Sequence, residues 1–549
     1  MPLLEKRQTV THILLFALFV AVLPWVFGLS RATSYYTDVM VFVAIHSIIA
    51  TGLSLLLGYA GQISLGQAAF YGVGAYASGI LTTRLGLSPW LGIMAGMALA
   101  AGLAYGVGLP ALRLKGHYLA MATLGFGMIV YIVFNEFIGL TGGPSGFGEI
   151  PPIHFLGIEI SSTLGFYYLV WTLAVGILWI SLNIVHSRPG RALRAIHDSE
   201  KAAAAVGIDI TRAKVQIFVV SGVYGALAGS LYAHFVTFIN PPPFDIFFSI
   251  KVLMMVVIRG IGSIWGAYLG AALLTFLPEW LAFLEDFDVL AYGIILLAIV
   301  MFSPDGMVGL GSRVMGRIRN MKTITSIIGP NGAGKTTLIN MISGFFRPSD
   351  GEILFNGEPL SGLKAHQVAA RGIARTFQTV ELFGKMTVLE NVMLGRHLKS
   401  RKGLISAAFR LPGVSREEAD VKTRSLSLLE TVGITEYAHM KAANLPLGEQ
   451  KLLEVARALA SEPRLLLLDE PAAGLNEVET QKAAEMIMGL GERGVTVILV
   501  EHDMNIVMSI SEKILVLKYG AKIAEGPPAS IRTDPGVIKA YLGDEESYS

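Results

Sequence analysis

Over the first 300 residues the chain runs in near-continuous apolar stretches, broken by short polar segments. A helix needs about 20 mostly apolar residues to cross a bilayer. Stretches of that kind lie at 11–29, 38–57, 63–83, 90–109, 118–138, 165–186, 215–239, a pair within 249–278 interrupted near Gly260–Ser263, and 289–303. The pattern predicts an α-helical polytopic membrane domain of roughly 8–10 transmembrane helices. The glycine-rich stretches can instead form broken or re-entrant segments, which lowers the count. From Met321 the pattern changes. Thr323–Ile328 reads as a short buried strand and Thr336–Ile342 as a helix, while Arg464–Asp469 and Val495–Val500 read as further buried strands. Lys402–Ala443 is polar and mostly helical in pattern.

Charge sharpens the boundary. Of the 84 Asp, Glu, Lys and Arg residues (43 basic, 41 acidic), 27 fall in residues 1–300 and 57 in residues 301–549. That step divides the chain into a membrane domain (1–310), a linker (311–322) and a soluble α/β domain (323–549). The loop Arg188–Lys214 carries Arg188, Arg191, Arg194, Lys201, Arg212 and Lys214, and Arg113–Lys115 is also basic. Gly139–Thr163 holds no Lys or Arg, and Pro278–Asp288 is acidic. Basic loops stay on the cytoplasmic side, which puts both termini and the soluble domain there. The first apolar run lacks a small-residue cleavage site and reads as a retained span. The chain has no cysteine, which excludes disulfides, thiolate catalysis and cysteine metal sites. A net charge of +2 without a basic stripe gives no sign of nucleic acid.

Small residues are dense in the apolar half, as in Gly72-Val-Gly74-Ala-Tyr-Ala77-Ser78-Gly79 and Gly262-Ser263…Gly266-Ala267…Gly270-Ala271. They permit close helix contact, and ordinary packing accounts for them better than substrate contact does. Gly142-Gly143-Pro144-Ser145-Gly146 reads as an external turn.

The soluble half carries the chemistry. Gly329-Pro330-Asn331-Gly332-Ala333-Gly334-Lys335-Thr336, followed by Thr337, is a complete phosphate loop between a strand and a helix. Its glycines let backbone N–H groups converge on phosphate, Lys335 reaches the β- and γ-phosphates, and the Thr336 hydroxyl holds Mg²⁺. Asp469 ends an apolar strand and Glu470 follows it. A carboxylate there can hold Mg²⁺ and its neighbour can polarise a water, although Asp-Glu-Pro can also simply end a strand and begin a turn. His502 follows another apolar strand and, as a lone histidine, would not be singled out by its chemistry.

Residues 323–549 resemble the ATP-binding subunit of ABC transporters. The resemblance is carried by the phosphate loop, Arg375-Thr-Phe-Gln378, Leu468-Asp469-Glu470-Pro471, Ala473-Gly-Leu-Asn476 and Glu501-His502-Asp503. It implies ATP and Mg²⁺ as cofactors, with Gln378 touching Mg²⁺ and relaying to the membrane domain. It also implies Glu470 as general base, His502 against the γ-phosphate, and Gly474–Asn476 at a dimer seam. Phe377-Gln-Thr-Val-Glu-Leu-Phe383, Ala524-Glu-Gly-Pro-Pro528 and Ala540-Tyr-Leu-Gly543 resemble the branched-chain amino acid branch. Residues 1–310 independently resemble that system's permease, in Gly58-Tyr-Ala-Gly-Gln-Ile-Ser-Leu-Gly66, Arg113-Leu-Lys-Gly-His-Tyr118, Thr141-Gly-Gly-Pro-Ser-Gly146, Gly190-Arg-Ala-Leu-Arg194 and Gly262-Ser-Ile-Trp-Gly266.

The resemblance implies an ATP-hydrolysing importer of hydrophobic amino acids, multi-pass in the bacterial inner membrane and surrounded by membrane lipid. It further implies a periplasmic substrate-binding protein, a second permease and a second ATP-binding subunit as partners. Uptake of urea, short amides or another small polar solute is the alternative in the same class. A membrane subunit with an impaired ATPase kept for structure or regulation is the other. Arg188–Gly207 becomes the expected coupling segment, docking on the ATPase near Gln378, with Glu200-Lys-Ala-Ala-Ala-Ala-Val-Gly207 as its turn. The arginines Arg191 and Arg194 fit docking and the orientation rule equally well.

Three features depart from the family pattern. Its ATPase has a longer lead before the phosphate loop, containing early strands and an aromatic that stacks on adenine. Here no Tyr or Phe occurs between Phe302 and Gly329, so the ATPase is expected to be N-terminally truncated. The signature loop reads Leu445-Pro446-Leu447-Gly448-Glu449 where the family has Leu-Ser-Gly-Gly-Gln, so Pro446 removes a hydroxyl and a backbone donor from the partner's ATP site. Arg259 stands where related permeases have glycine, which places it at the cytoplasmic edge or on an aqueous path.

Overall fold

The computed structural model describes residues 2–27, 35–114, 116–155, 158–258, 262–280, 324–492 and 494–542. The expectations for Arg259, the span 289–303 and the linker 311–322 lie outside them. The chain forms two compact units, one of Met1–His186 with Thr211–Asp305 and one of Ser187–Ile210 with Gly306–Ser549.

The first unit is helical because its apolar stretches can satisfy backbone hydrogen bonds only internally. Among the described residues six helices are long and apolar enough to cross a membrane: Val10–Phe27, Tyr36–Tyr59, Pro89–Ala111, His117–Glu136, Thr163–Val185 and Ile210–Val236. The stretch at 63–83 forms one helix that starts only at Gln67. A π-helical turn (Ser54–Tyr59) ends the preceding helix, 60–66 is irregular, and a new helix runs Gln67–Leu85. The pair within 249–278 resolves into Ile246–Val257 and Ile264–Trp280. Helix Tyr36–Leu53 sits at the centre, almost wholly buried. Small residues set close contacts between helices Gln67–Leu85 and Ile210–Val236: a Cβ on Gly74 would collide with the Ala226 carbonyl, and one on Gly229 with the Tyr71 carbonyl. Buried polar groups pair across helices, with Ser78 Oγ 2.7 Å from His234 Nε2 and Gln67 Nε2 donating to Ser221 Oγ at 3.1 Å. Leu14, Trp25, Met121 and Ile129 stay exposed, which fits lipid or a partner better than water.

The second unit is an α/β fold around a six-stranded sheet. Its order is Ala521–Gly526, Lys513–Lys518, Ile324–Ile328, Thr496–Val500, Leu465–Asp469, Ile373–Arg375. The strands are parallel except Ala521–Gly526, which runs antiparallel at the edge. Leu465–Asp469 is buried along its whole length, as a strand covered on both faces must be. A hairpin, Leu354–Phe355 with Glu358–Pro359, forms a separate two-stranded sheet. Parallel strands deliver their C-terminal ends to one edge, where crevices form. Gly329, Gln378, Asp469, Glu470 and His502 all follow or end such strands.

Candidate functional site: a nucleotide site and a docked segment

The phosphate loop connects the central strand Ile324–Ile328 to helix Lys335–Ile342. Gly334 caps that helix at φ +95°, a conformation that side chains with a Cβ rarely adopt. Lys335 is buried and folds over the loop, its Nζ donating to the Gly329 carbonyl at 2.7 Å and the Pro330 carbonyl at 3.2 Å. Burial lowers its pKa, while Glu470 and Asp469 pull the other way. Thr336 and Thr337 stay exposed at the helix start. The arrangement is a cradle of amides with one ammonium, suited to a polyphosphate.

At the end of the neighbouring strand, Asp469 is 1% exposed, and neither of its carboxylate oxygens has a hydrogen-bond partner. Arg375 Nη2 lies 3.5 Å from Oδ2 as a loose ion pair. Burial raises the Asp469 pKa, opposed by Arg375. A buried carboxylate with unused oxygens fits the Mg²⁺ ligand expected at Asp469, with the Thr336 hydroxyl and the Gln378 amide as the other expected donors.

Glu470 turns out of the strand at φ +51°, held by its N–H to the Val500 carbonyl at 2.8 Å. For a residue with a Cβ this is strained backbone. It brings one carboxylate oxygen, Oε1, within 3.1 Å of Gln378 Nε2 and 3.0 Å of His502 Nε2. Three residues far apart in sequence therefore meet at one atom, as a general base with two orienting partners would.

Several bracing residues were not singled out by the sequence reasoning. Lys451 Nζ donates to the Glu470 carbonyl at 2.9 Å, fixing the strained turn from behind. Arg375 donates to Asn340 Oδ1 at 2.7 Å and Ser343 Oγ at 2.8 Å and lies over the Phe377 ring at 4.6 Å. Glu454 accepts from the Phe377 N–H at 3.3 Å and pairs with Arg457 at 3.3 Å, and burial pushes its carboxyl up to about 7. Glu501 accepts from the Ala472 N–H at 2.7 Å and the His502 N–H at 2.9 Å. One sequence signal was available: Lys451, Glu454 and Arg457 recur every three residues on a helix that is otherwise largely apolar on that face.

The signature loop opens helix Leu447–Leu459, with Pro446 as N-cap and Leu445 buried. Gln450 Nε2 donates to the Leu445 carbonyl at 2.7 Å, Leu447 is exposed, and Glu449 Oε2 is buried without a hydrogen-bond partner. Gly448 is buried against Glu479. Asn476 and Glu479 cap each other's backbone at 3.0 and 2.9 Å, fixing the Gly474–Asn476 turn.

The segment Ser187–Ile210 belongs to the same compact unit as the nucleotide site. It forms helices Arg188–Asp198 and Glu200–Ala205. Arg191 makes a two-pronged contact with Glu418, Nη1 to Oε2 at 2.7 Å and Nη2 to Oε1 at 3.0 Å, and the Arg188 N–H reaches Glu418 Oε1 at 2.9 Å. Arg194 Nη2 meets Glu390 Oε1 at 2.8 Å. Burial alone would raise the Glu390 carboxyl, but Arg194 more than offsets it and holds the group below its usual value. His397 sits 3.3 Å from Arg188 Nη2, and burial, then the charges of Arg188 and Arg191, push it down to about 3. Gly207, at φ +88°, lies flat against Leu398, where a Cβ would collide. Among the described residues the segment's hydrogen bonds thus reach Lys385, Glu390, His397, Lys402 and Glu418, while Gln378 is engaged with Glu470.

Comparison with known proteins agrees with both halves. A family model described as "Branched-chain amino acid transport system / permease component" matches residues 35–302. Models described as "ABC transporter" and "Branched-chain amino acid ATP-binding cassette transporter" match residues 318–473 and 521–547. The chain is 46% identical over 224 residues to the "High-affinity branched-chain amino acid transport ATP-binding protein BraF" of Pseudomonas aeruginosa, covering 41% of this chain and 88% of that protein. It is 45% identical over 222 residues to the corresponding protein LivG of Escherichia coli, covering 40% of this chain and 87% of LivG. It is 30% identical over 330 residues to the "High-affinity branched-chain amino acid transport system permease protein LivM" of Escherichia coli, covering 56% of this chain and 77% of LivM. The chain belongs to the branched-chain amino acid ABC transporter family and carries both its permease component and its ATP-binding cassette.

Proposed function

We propose that the chain is the permease-plus-ATPase subunit of an importer that moves branched-chain or other hydrophobic amino acids across the bacterial inner membrane. The observation that carries this reading is the convergence of Gln378 and His502 on one Glu470 oxygen, beside a complete phosphate loop, in a chain whose other half is a permease.

In this reading Lys335 and the loop amides hold the β- and γ-phosphates of ATP. Thr336, Gln378 and Asp469 would hold Mg²⁺, which when bound would offset phosphate charge. Glu470 accepts a proton from the attacking water, and His502 fixes the Glu470 carboxylate and faces the γ-phosphate. Lys451 keeps the strained Glu470 turn from relaxing. Leu445–Glu449 contacts nucleotide held by a second ATP-binding subunit, and Pro446 weakens that composite site because it offers no N–H. The docked segment Ser187–Ile210 carries closure of the ATPase pair to the permease. A periplasmic binding protein delivers the amino acid, a second permease completes the pathway, and the ATPase domain and both termini face the cytoplasm. The ATPase domain (323–549, after a linker at 311–322) is N-terminally truncated, and a partner supplies the adenine contact or the base goes without one.

ATP hydrolysis by the reconstituted complex, with and without ligand-loaded binding protein, tests the reading. Wild type should be stimulated by a leucine-loaded binding protein, and Glu470→Gln should bind ATP and fail to hydrolyse it. Equal rates for the two proteins would mean that this site is idle. Stimulation by urea or an amide but not by leucine would favour the small-solute alternative.

A further inference from the structure

The first unit contains a cavity of ≈ 270 Å³ at the place where two helices begin inside the apolar region. One is Gln67–Leu85, which starts after the irregular stretch 60–66; the other is Ile246–Val257, which starts after a 3-10 turn at Pro242–Phe244. Irregular backbone at membrane depth persists only where protein buries it or where it lines a cavity. The two helix starts are tied together, because Ser249 Oγ accepts from the Ala68 N–H at 2.9 Å. The tie makes the cavity a built feature rather than a gap between loosely packed helices.

Its walls divide by chemistry. Leu65, Leu124, Met128 and Ile132 give an apolar side, while Asp245 and Ser249 give a polar end. Asp245 accepts one hydrogen bond, from the Phe248 N–H at 3.1 Å, and makes no ion pair among the described residues. Asp245 stands between the apolar spans 215–239 and 249–278, half-exposed at the N-cap of its helix, so its carboxylate is open to a ligand cation. The cavity lies just below the size range of pockets that enclose drug-sized ligands. Its volume is enough for a single amino acid.

We propose that this cavity is a transit site for an aliphatic L-amino acid, with the ligand ammonium on Asp245 and its branched side chain against Leu124, Met128 and Ile132. The inference rests on the importer reading and adds the residues that meet the substrate within this chain. Urea and short amides have no branched apolar body for the wall and no cation for Asp245, so the same cavity disfavours them.

The test uses photo-leucine, a diazirine analogue of leucine, with the purified full-length protein in nanodiscs and peptide mapping of the label. Label should fall within 124–132 and 244–249, and excess leucine, but not urea, should compete it away. Asp245→Asn keeps the cap on the Phe248 N–H, because Asn caps as well as Asp, and removes only the charge. It should reduce labelling at least fivefold. Gly127→Phe fills the cavity from the lining and should abolish labelling in that window while keeping the wild-type size-exclusion profile and thermal unfolding, which shows that the protein is folded. Label confined to other segments, or unchanged by both variants, overturns the proposal. Leucine uptake by wild-type proteoliposomes decides the importer reading separately: absence of uptake with labelling intact would refute that reading and leave the binding site.

Discussion

Removing Glu418 should undock the segment between the two apolar helices that flank it in sequence. Arg191 is nearly buried, with 6% of its side chain exposed against 26% for Glu418, and Glu418 also receives the Arg188 N–H. Truncating one member of a buried pair costs about 3–5 kcal/mol, because the remaining charge stays desolvated. Partial exposure of Glu418 lets water screen part of that, so about 2 kcal/mol is the working figure for Glu418→Ala. That is roughly a thirtyfold shift in the docking equilibrium. Hydrogen exchange of amides 190–206 in the full-length protein should accelerate by about that factor. Exchange in the phosphate loop should not change. Leucine transported per ATP hydrolysed should fall, because hydrolysis loses its mechanical link. Arg191→Ala removes both the charge and its need for a partner, and a double-mutant cycle with Glu418→Ala should give a coupling of at least about 1 kcal/mol. Unchanged exchange in Glu418→Ala, or zero coupling, would refute the argument that this pair holds the segment.

Other outcomes follow from the same geometry. An undocked His397 takes up a proton near its ordinary pKa of 6.5, whereas the docked one resists until about pH 3, so docking loses stability as pH falls through 6.5. The loss is roughly 1 kcal/mol by pH 5.5; exchange rates for 190–206 measured from pH 7.5 to 5.5 should show it, and His397→Asn should flatten the profile. With no Tyr or Phe between Phe302 and Gly329 to stack on adenine, the proposed truncation predicts the loss of about 1–3 kcal/mol of base binding. ATP and inorganic tripolyphosphate should then compete for the phosphate loop with affinities within about tenfold of each other; a gap of several hundredfold in calorimetry would mean that an adenine contact exists. Pro446→Ser restores a hydroxyl and a backbone N–H to the signature loop and should raise hydrolysis by the complex by about threefold or more if the partner's site is limited there; an unchanged rate would show that Pro446 is not the constraint.

How much of this was legible in the sequence varies by element. The phosphate loop, Asp469 and Glu470 were readable because a strand end, a glycine loop and a helix start leave local signatures. That Gln378 and His502 belong to the site was legible only through resemblance, and their contact with one Glu470 oxygen was not legible at all, since it arises where separate parallel strands end side by side. Lys451 was hidden because its partner is a backbone carbonyl, which no side-chain pattern reports. The arginines of the 188–194 helix had two readings from sequence, orientation or docking. The carboxylates that pair with them, Glu390 and Glu418, lie some 200 residues away in the chain. Hydropathy put a break at 58–62 but not its extension to 66, because Ile63 and Leu65 keep the stretch apolar while the backbone is still outside the helix.

In the proposed function, one chain couples hydrolysis at Glu470 to amino acid uptake through its own permease half. ATP-dependent accumulation of radiolabelled leucine in proteoliposomes containing the full complex measures that coupling directly. Wild type should accumulate leucine with ATP on the side of the ATPase domain, and Glu470→Gln in this chain alone should reduce the rate at least tenfold. Accumulation at the wild-type rate by Glu470→Gln would contradict the claim.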